Sequence, residues 1–167
     1  MNEEIEIKML EDEDGEFYTK THVNAIDGIE GLLQVTDVLG EYINDSQWKT
    51  YNVIDTVEKD AMFGSSGFPC SIREIKIGSS EFGNKNVLVM KTIRVNIRNF
   101  NHEQKVAQLP SDFMKNTQVF WARGGDNHQP IMVQLNKNGE IIPRLSENDK
   151  NKTSESNWVY AQFTWIE

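Results

Sequence analysis

Two spacings of apolar residues divide the chain. Ile29, Leu32, Thr36, Leu39 and Ile43 recur at intervals of 3, 4, 3 and 4 residues, the heptad stripe of a helix that packs against a partner. Asp27 is placed to cap the first turn, with Glu30 three residues on as in a capping box, and Asn44-Asp45-Ser46 supplies a stop. The pattern predicts a helix over about residues 28–43, roughly 24 Å long at ~1.5 Å per residue. Gly31 and Gly40 lie inside it and cost about 1 kcal/mol each. A helix of this length is marginal alone and needs a surface, either its own domain or copies of itself. Ile at the first heptad position with Leu at the fourth leans toward two strands.

Beyond Cys70 the period changes to two. Ile75 and Ile77 alternate with Glu74 and Lys76, and Ile93, Val95 and Ile97 with Arg94, Asn96 and Arg98. Ile131, Val133 and Leu135 alternate with Met132 and Gln134. Val159, Ala161, Phe163 and Trp165 alternate with Trp158, Tyr160, Gln162 and Thr164. One apolar face per strand predicts half-buried antiparallel strands. Asn138-Gly139 predicts a type I′ hairpin, whose two central residues both need positive φ. The fold class expected is mainly β: an antiparallel β-sandwich head over residues 47–167, preceded by a neck over residues 17–46. Sixteen asparagines suit the many turns of that class, and the polar run from Ser146 to Asn157 reads as a long loop.

Charge adds a third segment. Residues 1–16 hold eight acids against Lys8, a net −7 of the chain's −9, and read as an acidic docking arm. Placing Gly15 at the sixth position of a calcium loop puts Leu10 first and Thr21 twelfth, where carboxylates are required, so that register fails. The arm lacks the apolar core of a signal peptide, and no apolar run reaches the ~18 residues of a membrane span. Global acidity argues against nucleic acid as partner. The stretch from Cys70 to Arg123 carries nine bases against four acids, which still permits an anionic surface polymer.

Candidate chemistry is sparse. The single Cys70 excludes an internal disulfide, and with His22, His102 and His128 far apart it makes no metal site. It reads as core filler. There is no phosphate loop and no nucleophile elbow. Asp126 and Glu140 are the nearest paired carboxylates, but nothing builds a cleft between them. No catalytic residue, cofactor or metal is expected.

Two segments resemble a known family. Gly15-Glu16-Phe17-Tyr18-Thr19-Lys20-Thr21-His22-Val23-Asn24-Ala25-Ile26-Asp27-Gly28-Ile29 is similar to a stretch at the front of phage minor tail and baseplate proteins, where it precedes a short coiled coil. The second segment runs from Trp48 through Lys91-Thr92-Ile93-Arg94-Val95-Asn96, Leu109-Pro110-Ser111-Asp112-Phe113 and Asn138-Gly139 to a Trp-rich end. It resembles the heads of receptor-binding and tail-fibre proteins of siphophages infecting Gram-positive bacteria. The resemblance implies a homotrimer joined through the neck, and so supplies the strand number that the heptad residues leave open. It implies a virion protein of the tail tip or baseplate, made in the host cytoplasm, whose N-terminal segment docks other tail proteins. The heads would bind a host cell-wall glycopolymer, teichoic acid or polysaccharide, without chemistry and without membrane insertion. Two alternatives remain: a purely structural baseplate or upper-fibre part, and the equivalent part of a phage-tail-like bacteriocin.

Saccharides are bound by aromatic faces flanked by hydrogen-bonding side chains. Trp121 and Arg123 share one strand face before Gly124-Gly125; Asp126, Asn127 and His128 follow in a short loop; Trp158 and Tyr160 lie on the polar side of the last strand. These seven are the expected ligand residues. The competing reading makes Trp121 core and residues 126–128 an ordinary hairpin tip.

Overall fold

A computed structural model describes residues 9–11, 17–19, 43–78, 88–125 and 127–167. The chain forms two units, Met1–Ile43 and Asn44–Glu167. In the first, β1 (Met9–Glu11) pairs antiparallel with β2 (Phe17–Thr19), Leu10 opposite Tyr18. Residues 9–11 of the acidic arm therefore belong to a strand pair. Ile29, Leu32, Thr36 and Leu39 lie outside the described residues. Ile43, expected to close the helix, instead begins a strand, β3 (Ile43–Asp45), where it is 52% exposed.

The second unit is mainly β, and its sheets are antiparallel, as the period-2 pattern predicts. The larger sheet runs in the order β12 (Trp158–Ile166), β7 (Leu88–Arg98), β6 (Ser71–Ile77), β3, with β4 (Lys49–Thr50) also on β6 and β5 (Glu58–Lys59) also on β7. The smaller sheet runs β8 (Ala107–Gln108), β11 (Glu140–Arg144), β10 (Ile131–Leu135), β9 (Gln118–Ala122). Ile93, Val95, Ile97 and Val159 from the larger sheet and Ile131, Val133, Leu135 and Ile141 from the smaller one are buried in a single core. Phe120 of β9 stacks on Phe163 of β12 with ring centroids 4.6 Å apart, tying the sheets in a sandwich-like arrangement. Cys70 is fully buried in this core, and burial pushes its thiol up, away from the reactive thiolate.

Two local expectations change. The β10–β11 turn spans Asn136–Gly139, with the Gly139 N–H donating to the Asn136 carbonyl at 2.8 Å. Gly139 has φ +88, but Asn138 is not among the residues with positive φ, so the turn is not type I′. A side chain on Gly139 would also meet the Leu109 carbonyl 2.4 Å from its Cβ. In β6 the apolar pattern faces the other way. Ile72 pairs with the core residue Ile93 and Glu74 with Lys91, so Ile75 and Ile77 share the outer face with Met90 and Leu88. The inner end of the sheet is closed by ions: the buried Lys91 ammonium lies 2.7 Å from Glu167 and 3.5 Å from Glu74, and donates to the Phe113 carbonyl.

Candidate functional site

The outer face of the larger sheet carries a row of rings and guanidinium groups. Arg94 alternates out of β7 and lays its guanidinium 3.7 Å from the centroid of the Trp48 ring. A second ring, Phe68, lies 5.3 Å from it. Phe68 stacks on Tyr160 with centroids 4.0 Å apart, and Tyr160 meets Phe63 edge-on at 4.6 Å. The row ends in Phe63, a residue 58% exposed.

The supporting layer explains how residues so far apart in sequence meet. Asn96, two residues along β7 from Arg94, is buried beneath the segment Asp60–Cys70 and spends its whole amide on it. Its Nδ2 donates to the carbonyls of Phe68 at 2.9 Å and Met62 at 3.3 Å, and its Oδ1 accepts the Met62 N–H at 2.9 Å. Asp60 accepts the Cys70 N–H at 2.6 Å and closes the segment. Beneath Arg94, the buried Tyr51 hydroxyl donates to the Arg94 carbonyl at 2.9 Å. Burial raises that phenol well above its ordinary range, so it stays a donor. At the far end Arg73 lies 5.7 Å from the Trp48 ring and is neutralised by Asp45, which accepts from both its Nε, at 2.9 Å, and its Nη2.

The backbone around this row is strained. Among the described residues five non-glycine residues have positive φ, and three flank the row: Gln47, next to Trp48, Asp60, and Phe63 at φ 64. A bulky ring in the left-handed region is an outlier that persists only when its surroundings hold it there.

The residues expected from sequence are divided among three places. Trp121 is not core: it stands 67% exposed on the outer face of the smaller sheet, opposite Met132. Arg123 is also exposed, and Asp126 lies outside the described residues. His128 and Trp158 do come together, beside Gly125. The site of a Cβ on Gly125 is 3.1 Å from His128 Nδ1 and 3.3 Å from Trp158 Nε1. His128 Nε2 bonds Asn157 Oδ1 at 2.9 Å while Asn157 Nδ2 donates to the Phe100 carbonyl, so Nε2 carries the proton. The Asn127 carbonyl accepts from Lys152, and the Gln129 N–H donates to the buried Asp149 at 2.7 Å. These bonds hold residues 127–129 as a structural loop. Tyr160 belongs to the row on the larger sheet, where its hydroxyl accepts the Phe68 N–H at 3.2 Å.

Sequence reasoning missed Arg94, Phe63 and Phe68. The one local signal was Arg94 on the polar side of a strongly alternating strand; its meeting with Trp48 is tertiary. A recess of about 200 Å³ near the Lys91 ion group is lined by Ser46, Lys49, Glu74, Asp112 and Phe113, and its charges are mixed. Among the described residues no three His, Cys, Asp or Glu side chains gather as a metal site. No family model, curated protein or solved structure matches the chain.

Proposed function

We propose that the chain is a tail or baseplate protein of a phage of Gram-positive bacteria, carried in the virion, whose β head binds host cell-wall saccharide without chemistry. The viral setting, the trimer and the coiled-coil neck rest on the resemblance of the Gly15–Ile29 and Trp48-onward segments to tail proteins. The observation that carries binding is the exposed Phe63 ring at the end of a rigid aromatic row. A sugar presents a C–H face to such a ring, and rings already locked by stacking lose little entropy when the sugar arrives. Strain held at an exposed aromatic is the signature of a position kept for contact rather than for packing. Trp121 offers a second flat surface on the other sheet.

Full-length chain incubated with purified walls from a panel of Gram-positive bacteria tests the reading. Wild type should sediment with walls from at least one member, and Phe63→Asn should sediment at least about tenfold more weakly, a stacking loss of ~1.4 kcal/mol. A folded wild-type chain that sediments with no wall favours the purely structural role. Equal binding by Phe63→Asn removes the row from the site.

A further inference from the structure

We infer that the ligand of this row is anionic, and that Arg94 is its charge-reading residue. The inference rests on the saccharide-binding reading and adds the chemistry of the partner. A guanidinium offers five N–H donors. In Arg94 the plane is covered by Trp48 at 3.7 Å, and Nε is spent on Gln162 Oε1 at 2.8 Å. The four N–H groups of the two terminal nitrogens have no acceptor among the described residues. On the same sheet Arg73 is neutralised by Asp45, whereas Arg98, four residues along β7, donates its Nε to the Glu155 carbonyl and has no stacked ring beside it among the described residues. Arg94 has no carboxylate partner among the described residues, although the rings of Trp48 and Phe68 lie 3.7 and 5.3 Å from it and Tyr51 bonds its carbonyl.

A cation fixed in position, partly stripped of water and lacking a counter-ion is arranged to receive an anion from outside. Its free edge is a planar fork that matches the paired oxygens of a phosphodiester or a carboxylate. The aromatic row beside it takes a ring. Anion and sugar side by side describe a charged glycopolymer, either one joined by phosphodiesters or one built of uronic acids. The stretch Cys70–Arg123, from which Arg94 comes, is the basic part of an acidic chain, which agrees in sign.

The test titrates the full chain with poly(glycerol phosphate), with polygalacturonate and with neutral dextran, following tryptophan fluorescence and heat. One or both anionic polymers should bind, and which one does identifies the anion. Dextran should bind at least tenfold more weakly. Binding should fall at least tenfold between low and high salt, and at least tenfold in both Arg94→Gln and Arg94→Lys, because lysine keeps the charge but not the fork. Thermal melting of both variants checks that they fold. If either fails to fold, Gln162→Ala, which frees Nε and loosens the fork, must weaken anion binding in its place. Dextran binding equal to that of the anionic polymers, or unchanged binding by the folded variants, overturns the anionic inference and leaves saccharide binding standing. No binding to any of the three polymers, together with no sedimentation on walls, overturns both.

Discussion

Phe63 holds a left-handed backbone that asparagine adopts far more readily than phenylalanine. Phe63→Asn should therefore keep or raise thermal stability, by up to about 1 kcal/mol, while weakening wall binding. A loss of more than that in thermal melting would mean that the edge contact with Tyr160 outweighs the strain. Charged residues give a second expectation. The Lys152 ammonium holds the Asp149 carboxyl at about 2, helped by the Gln129 N–H and Ser146 and opposed by burial. Arg73 does the same for Asp45, also at about 2. A carboxyl depressed in the folded state adds stability that is complete above its unfolded value and lost as pH falls through the folded one. Melting temperature should hold near neutrality and decline from about pH 4 to about pH 2. Asp149→Asn should lower it at neutral pH and flatten the acid limb; an unaltered limb assigns the acid response to other carboxylates. At this scale the sequence was partly legible. Cys70 is the core residue it suggested. Trp121 was ambiguous because β9 reads Val119-Phe120-Trp121-Ala122, with large apolar groups on both faces and no alternation to choose between them.

Among elements, the segment Asp60–Cys70 depends on one side chain of β7. Removing the Asn96 amide leaves the Met62 N–H and the Met62 and Phe68 carbonyls without their partner. Asn96→Ala should cost about 1–3 kcal/mol in denaturant unfolding and should release Phe63 and Phe68, so that wall binding falls with it. Retained binding would show that the rings hold the segment by themselves. The alternating strands β7, β10 and β12 were readable because each packs one apolar face on a core and carries polar groups on the other, even where, at Asn96 of β7, that face is covered by the segment Asp60–Cys70. β6 was misread for a reason of the same kind. Its hydrophobic alternation is real, but the inner positions at its end are Glu74 and Lys76, and Glu74 faces Lys91 of β7, whose ion pairs with Glu74 and Glu167 no local pattern announces. The aromatic row was hidden likewise, since its members come from Trp48, Phe63, Phe68, Arg94 and Tyr160 and meet only through tertiary contacts.

For the whole molecule, the heptad stripe joined to a head of the resembling type predicts a trimer. Light scattering of the full chain should give three times the 19.2 kDa chain mass, and Leu32→Asp with Leu39→Asp should reduce it to one, because each buried carboxylate costs several kcal/mol. A wild-type mass of one chain would remove the neck from the proposal. The larger sheet also has a choice to make when it closes. Sliding β6 by one residue against β7 would carry Ile75 and Ile77 inward, a pairing that hydrophobicity alone favours. That slip would strip Lys91 of Glu74 within the interior. The ammonium thus acts as a register key that rejects the greasier mispairing, a selective role separate from any net strengthening of the fold. Replacing the lock with neutral groups of similar size, Lys91→Met with Glu74→Gln and Glu167→Gln, should leave the melting temperature nearly unchanged yet split the amide resonances of residues 71–77 into two sets. A single set would show that the flanking strands β3, β4 and β5 already dictate the alignment.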